Sequence, residues 1–329
     1  MNAVIRGTGA YTPEKVLTNA DFEKIVDTSD EWIVTRTGIK ERRVVCENES
    51  NSDLCFNAGK RALEMAAISA ADLDMIIVGT VTPDYNLPST AAVVQEKLGA
   101  TNSAAFDVVA ACAGFLHGLS IAHGFIVNGN IRRALIIGSE VLSRVIDYSD
   151  RSTCVLFGDG AGAVVVEADD GADANGSGVL SSYLRADGSK AELLWIPAGG
   201  SKNPLNANNI QTRERYIIMS GNEIYKLAVR SMCDAALRAL DKAGVRTDEI
   251  SWLIPHQANI RIIEGVAKRL KISDRKVFLN IEKYGNTSAA SVPIALDEAN
   301  RKGLLNKGDN VLMVAFGGGL TWAASLVRW

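Results

Sequence analysis

The chain has 329 residues, enough for one large domain or two ordinary ones with a sizeable core. Hydrophobic residues at 47% and charged residues at 22% are the balance of a water-soluble globular protein rather than a disordered or membrane-embedded one. With 35 basic against 38 acidic side chains the net charge is −3, which leaves no global electrostatic case for nucleic acid or an anionic membrane, so an acidic partner must meet a local basic patch.

The opening MNAVIRGTGAYTP has no charged segment followed by an apolar core, so it does not read as a signal peptide. Ile5 to Tyr11 reads as a strand running into a glycine-containing turn. Thr18 to Asp21 and Thr28 to Glu31 carry the capping residues of helix starts, and an amphipathic helix is expected from about Asp53 to Ala67. The most distinctive stretch follows, Phe106 to Ser120, FDVVAACAGFLHGLS. A short apolar run passes through small residues into a helix candidate that is apolar all round and extends to about Val127. Such a helix belongs in the middle of a core, and its length fits burial better than a membrane span. Cys112 falls at or near the first turn of that helix, where unpaired N–H groups and the helix dipole favour an anion. A thiol there is expected to lose its proton more easily and act as a nucleophile. Free cysteine is also among the most commonly buried residue types, so position alone leaves both readings open.

The five cysteines, Cys46, Cys55, Cys112, Cys154 and Cys233, are odd in number and form no CxxC pair. Neither a disulfide framework nor a metal site is expected, and a reducing cytoplasm is the default compartment.

Farther on the chain repeats itself. Residues 61–79 (RALEMAAISAADLDMIIVG) align without a gap on 238–256 (RALDKAGVRTDEISWLIPH), at an offset of 177. The same offset sets Ala134–Gly138 (ALIIG) on Val311–Ala315 (VLMVA). Each match is a helix end, an acidic turn and an apolar strand, or a second apolar strand, the alternation of an α/β layer fold. Two such halves packed together predict a duplicated five-layer αβαβα sandwich, with the helix after Cys112 in the middle layer. The offset equates Cys112 with Ala289 and puts His256 directly after a strand, so Cys112, Asn286 and His256 are expected to converge on a shared centre. Residues 171–218 show no sequence counterpart in the first half and hold two loop-like stretches, 171–176 and 203–209. The boundary is therefore set near 170, dividing 1–170 with the cysteine from 171–329 with His256 and Asn286.

Three histidines make the search for a polar partner short. His117 lies five residues beyond Cys112, roughly 140° around the helix, and so faces away from it. His256, in LIPHQAN, sits at a strand end, where sites collect in α/β folds. Asn286 is at the same time a natural helix cap. Phe316-Gly317-Gly318-Gly319 lets backbone approach a ligand closely and offers N–H groups to an oxyanion.

Four motifs, ACAGF around Cys112, PHQAN around His256, YGNTSAAS around Asn286 and the terminal FGGGLTW, closely resemble the β-ketoacyl-[acyl-carrier-protein] synthase III family of the thiolase superfamily. So do Thr28–Arg43 (TSDEWIVTRTGIKERR) and Thr82–Tyr85, and the motifs stand in order along nearly the whole chain. The resemblance implies the thiolase-like αβαβα fold and an acyltransferase that condenses an acyl-CoA with malonyl-acyl carrier protein through an acyl-Cys112 intermediate. His256 and Asn286 would stabilise the malonyl-derived enolate, and the N–H groups of Cys112 and Gly318 would form an oxyanion hole. It further implies CoA contacts from Thr28, Trp32, Arg36, Arg151, Gly221 and Asn259. Leu87 and Phe316 would line the acyl pocket, and Lys226, Arg261, Lys268 and Arg269 would dock the acidic carrier protein. A homodimer, no cofactor beyond the two substrates, and no nucleic-acid or membrane partner complete the expectation. Two relatives of the superfamily fit less well. A degradative thiolase carries a second cysteine in its final glycine-rich loop, which is absent here, and elongating synthases have histidine where Asn286 stands. A synthase III-like enzyme of secondary metabolism keeps the same three residues and is the nearer alternative. At position 87 the family's familiar residue is a phenylalanine that reaches across the dimer; Leu87 is smaller, which predicts acceptance of acyl groups beyond acetyl.

Overall fold

A computed structural model describes residues 1–169, 171 and 176–329. The boundary expected near 170 and most of the loop-like stretch 171–176 lie outside the described residues.

The first half forms a five-stranded sheet from β1 (Asn2–Tyr11), β2 (Met75–Gly79), β3 (Ala104–Val108), β4 (Arg133–Glu140) and β5 (Gly160–Asp169), in the order β1-β5-β4-β2-β3. Strands β4, β2 and β3 run parallel, and β5 and β1 close one side antiparallel. Strand β2, Met-Ile-Ile-Val-Gly, is buried at every position, as a strand covered by helices on both faces must be. The second half repeats the arrangement with β6 (Gly178–Ala186), β7 (Trp252–Pro255), β8 (Asn310–Gly317) and β9 (Thr321–Arg328), in the order β7-β8-β9-β6.

The helices that position the site are α1 (Asp30–Thr37), α2 (Asn51–Ala66), α3 (Thr90–Leu98), α4 (Gly114–Val127), α5 (Gly221–Ala243), α6 (Ile260–Leu270) and α7 (Ser291–Arg301). Helices α2 and α3 cover the outer face of the first sheet, and α5 and α6 that of the second. Between the sheets lie α4 and α7, each touching both. The result is the expected five-layer αβαβα sandwich. Phe115, Leu116, Leu119 and Ile126 of α4 are buried in the core between the sheets, together with Ile77, Ile136, Val292, Leu296 and Met313. The side of α4 that carries Phe125 and Val127 is exposed in the single chain, although the helix is apolar over most of its surface. The outer helix α2 buries one face only, Leu54, Cys55, Ala58, Ala62 and Leu63. It starts two residues before the predicted position, because Ser50 and Asp53 cap it reciprocally.

The repeat runs deeper than the sequence shows. Strand β6 pairs antiparallel with β9 as β1 pairs with β5, and it lies on β1 at the same 177-residue offset. Residues 178–186, within the segment read as having no counterpart, therefore have one. Their side chains have diverged while their spacing has not. The short turns that precede α4 and α7, Ala111–Ala113 and Ser288–Ala290, also correspond at that offset. Each begins on a non-glycine residue in the left-handed region, Ala111 at φ 43° and Ser288 at φ 48°. That conformation costs about 1–3 kcal/mol per residue, and such strain concentrates at functional sites.

Candidate active site

Cys112 is the middle residue of the first of these turns and is 8% exposed. The turn is pressed against the end of β8. A Cβ added at Gly317 would lie 2.5 Å from the Cys112 nitrogen, so only glycine fits there. Burial pushes the Cys112 thiol up to about 12, with the charge of Glu140 adding to the rise and a hydrogen bond to Ser288 opposing it. A shift from 9.0 to about 12 corresponds to about 4 kcal/mol, whereas a helix N-terminus contributes up to ~2 kcal/mol. Desolvation therefore outweighs the helix start, and the thiol's pKa is raised rather than lowered as that position suggested.

His256 follows β7, is 1% exposed, and faces the same space. Its backbone N–H donates to Val314 O at 2.8 Å, and its Nδ1 lies 2.6 Å from Ser291 Oγ. Burial lowers its pKa to about 3, so the ring is neutral across the physiological range. Asn286 is held by backbone bonds from its own N–H to Leu156 O and from Gly158 N–H to its O. Its Oδ1 accepts from Ser288 N–H at 2.9 Å, which leaves the Nδ2 amide to donate into the cavity. Asn286 is therefore not the cap expected of it, since the N-cap of α7 is Ala290 and that of the turn before it is Thr287; one end of its amide is anchored to the turn and the other is presented.

Cys112 stands where two cavities meet. The larger, about 730 Å³, is lined by Cys112, His256, Asn286 and Phe316 and runs outward past Gly221 and Asn259 to Trp32 and Arg36. The smaller, about 320 Å³, lies on the other side of the thiol and is mostly apolar, walled by Val81, Leu142, Phe157, Trp195 and Ile217, with Ser288 and Gly318 beside the sulfur. A long substrate can therefore pass through one cavity and place a short apolar end in the other.

Of the outer residues, Trp32 carries the Arg36 guanidinium 4.6 Å and the Arg151 guanidinium 5.3 Å from its ring centre, a cationic aromatic cluster at the mouth. Asn259 donates to Arg36 O at 2.9 Å and caps α6 through Arg261 N–H. Thr28 does not line the cavity, but its hydroxyl is buried without a partner. Lys226, Arg261, Lys268 and Arg269 are all exposed. Only Lys226 and Arg261 also line the mouth. Phe316 lines the larger cavity rather than the smaller one, and Leu87 is 87% exposed and borders neither within one chain. His117 does not join the site; its Nδ1 lies 3.0 Å from Ala113 O on its own helix.

One residue was missed. Glu140, at the end of β4, is fully buried and accepts from Val81 N–H, Thr80 Oγ1, Thr82 Oγ1 and Ser288 Oγ. It ties the wall of the smaller cavity to the turn that faces Cys112. An acidic residue closing an apolar strand was the available signal. Burial raises its pKa from 4.5 to about 7, so the folded protein holds a proton that the unfolded chain releases. The stability from that proton is fully present below about pH 4.5 and is lost as pH rises through about 7. Glu140→Gln is expected to flatten the fall in Tm between about pH 5 and pH 8, measured by calorimetry at fixed ionic strength; a slope equal to wild type would show that other groups set it.

Comparison with known proteins agrees over the full length. The family described as 3-oxoacyl-[acyl-carrier-protein] synthase III matches residues 106–188, and its C-terminal counterpart matches 240–329. The β-ketoacyl-[acyl-carrier-protein] synthase III of Caldanaerobacter subterraneus subsp. tengcongensis is 56% identical over 99% of this chain and 98% of its own. That of Clostridioides difficile is 50% identical over the same shares. Among solved structures, 3-oxoacyl-[acyl-carrier-protein] synthase III from Aquifex aeolicus VF5 is 51% identical, with a TM-score of 0.91 over 99% of this chain and 100% of that one.

Proposed function

The chain belongs to the β-ketoacyl-[acyl-carrier-protein] synthase III family, and from that premise we propose how its own residues divide the work. The enzyme is an acyltransferase: it condenses an acyl-CoA with malonyl-acyl carrier protein, with loss of CO₂, to give 3-oxoacyl-acyl carrier protein in fatty acid synthesis. The observation that carries the assignment of roles is the place of Cys112 between a long cavity that also holds His256 and Asn286 and a smaller, mostly apolar one that holds neither.

In the first half-reaction Cys112 Sγ attacks the thioester carbonyl, the bond from that carbon to the CoA sulfur breaks, and the thiol proton leaves with CoA. The Cys112 and Gly318 N–H groups meet the transient oxyanion. CoA lies along the larger cavity, its adenine against Trp32 between Arg36 and Arg151, with Thr28 nearby and Gly221 and Asn259 beside the pantetheine arm. The acyl group occupies the smaller cavity. Malonyl-acyl carrier protein then enters by the same mouth and loses CO₂. The enolate oxygen takes hydrogen bonds from His256 and Asn286, and the carbanion carbon attacks the acyl carbonyl and expels Cys112. Fixed donors suit this step better than a strong base, because the charge arises from a departing carboxylate. Overall one proton is consumed, and no cofactor beyond the substrates is required.

The exposed edge of β3 and the apolar Leu87 and Val109, 87% and 78% exposed, support a homodimer paired along that edge. Pairing there would carry Leu87 of one copy to the other's acyl cavity. Among the described residues no helix is long and apolar enough to cross a membrane, and a cytoplasmic location suits the CoA substrate.

An assay of acyl-CoAs of rising chain length with malonyl-acyl carrier protein tests the reading. Each added CH₂ contributes about 0.8 kcal/mol where there is room, and overpacking costs about 1–3 kcal/mol where there is not. Chains beyond acetyl are expected to be used, and Leu87→Phe to narrow the range toward acetyl with little loss of acetyl turnover. Exclusive use of acetyl-CoA by the wild type, with no change in Leu87→Phe, would remove Leu87 from the pocket. A marked preference for an unusual starter would favour secondary metabolism, a role held by the priming β-ketosynthase of the R1128 polyketide pathway, 35% identical to this chain with a TM-score of 0.91.

The carrier protein meets the basic face of α6. Lys268→Glu, remote from the cavity, is expected to raise KM for malonyl-acyl carrier protein several-fold and leave that for acyl-CoA unchanged. The effect should fade with salt, because exposed charges are screened within about 8–10 Å. Arg261→Glu should disturb both substrates, since Arg261 also lines the mouth. Equal damage to both substrates by Lys268→Glu would place docking elsewhere.

A further inference from the structure

The 177-residue repeat pairs Gly79 with His256 and Gly114 with Ser291. In the first half these positions are glycines in direct backbone contact; a Cβ at Gly79 would lie 2.6 Å from the Gly114 carbonyl carbon. In the second half the equivalent pair carries side chains, and they meet as His256 Nδ1 and Ser291 Oγ, 2.6 Å apart. One contact point of the duplicated frame has become a hydrogen bond where its twin is bare backbone.

We propose that Ser291 is a positioning residue that fixes the tautomer of His256: its hydroxyl donates to Nδ1 and so keeps the imidazole proton on Nε2. Three facts lead there. Ser291 Oγ already accepts from Gln257 N–H at 3.3 Å, and its hydroxyl has no other acceptor among the described residues. Ser291 and His256 are 2% and 1% exposed, so bulk water does not supply one. A proton on Nδ1 would leave Ser291 Oγ facing two N–H donors with its own hydrogen unplaced, a buried loss that the opposite tautomer avoids. The ring is neutral, so the choice is between two tautomers only.

The consequence for the reaction rests on the role proposed above for His256, a donor to the enolate oxygen. An imidazole with its proton on Nδ1 would turn a lone pair toward that oxygen instead. Ser291 thus acts through His256 and touches neither substrate.

The test uses the whole protein labelled with ¹⁵N-histidine. With three histidines in the chain, His256 is assigned by its loss in His256→Ala. The wild type is expected to show a protonated Nε2 and an unprotonated Nδ1. In Ser291→Ala the two signals should move toward each other as the tautomers mix, and malonyl decarboxylation should fall about ten- to a hundredfold in kcat with KM little changed. Acylation of Cys112 should persist in that variant and shows that the site is folded. Ser291→Thr, which keeps the hydroxyl, should restore both signals and rate. A protonated Nδ1 in the wild type overturns the inference, as does Ser291→Ala with unaltered signals. If the signals behave as expected but His256→Ala decarboxylates at the wild-type rate, the tautomer assignment stands and the enolate role of His256 falls.

Discussion

Cys112→Ser is expected to take up no acyl group from acyl-CoA and to lose condensation by about 10³-fold or more, as removal of a covalent nucleophile does. The other four cysteines are poor substitutes. Cys55, Cys154 and Cys233 are buried, and desolvation raises the pKa of all three thiols. Cys46 is exposed but borders neither cavity. Only Cys112 faces both. Intact-mass analysis after incubation with acyl-CoA should find one added acyl group in the wild type and none in the variant. Label that survives in Cys112→Ser, or that maps to Cys154 or Cys233, would overturn the assignment.

His256→Ala and Asn286→Ala are expected to separate the two half-reactions. Each side chain is anchored at one end, His256 by Ser291 and Asn286 by Ser288 N–H, and offers its other end to the cavity. A preorganised donor costs no reorganisation when charge develops, and losing one typically costs about 10²–10³ in rate. Decarboxylation of malonyl-acyl carrier protein should fall by that factor in either variant, while acylation of Cys112 continues. The double variant should lose less than the product of the two, because both donors serve one oxygen. Decarboxylation near the wild-type rate in both single variants would assign the oxyanion to other groups.

Much of this arrangement is legible in the residues. The strand pair 75–79 and 252–255 betrays the duplication because both are largely buried and need apolar side chains, and α4 announces its middle layer by being predominantly apolar. Strands β1 and β6 hid their kinship. They sit toward the margins of their sheets, where partly exposed positions tolerate many side chains and only the spacing has survived. A helix start at Cys112 is visible in sequence, whereas the depth of burial that raises its pKa is not. Glu140 escaped notice for a related reason. Its donors at Thr80, Val81 and Thr82 lie some 60 residues away and meet it only when β2 and β4 pair.

The contact of Gly317 with the Cys112 turn has a consequence for how such an enzyme diversifies. The nucleophile is seated backbone against backbone, with no side chain between that could be traded for a larger or smaller one. The walls of the acyl cavity come instead from loops between the sheet strands, through Leu142, Phe157, Trp195, Ile196 and Ile217. Heritable variation can therefore remodel what the enzyme accepts without disturbing how it reacts. Exchange of the 195–217 loop between paralogues should transfer starter preference as a separable trait, with the chemistry inherited unchanged.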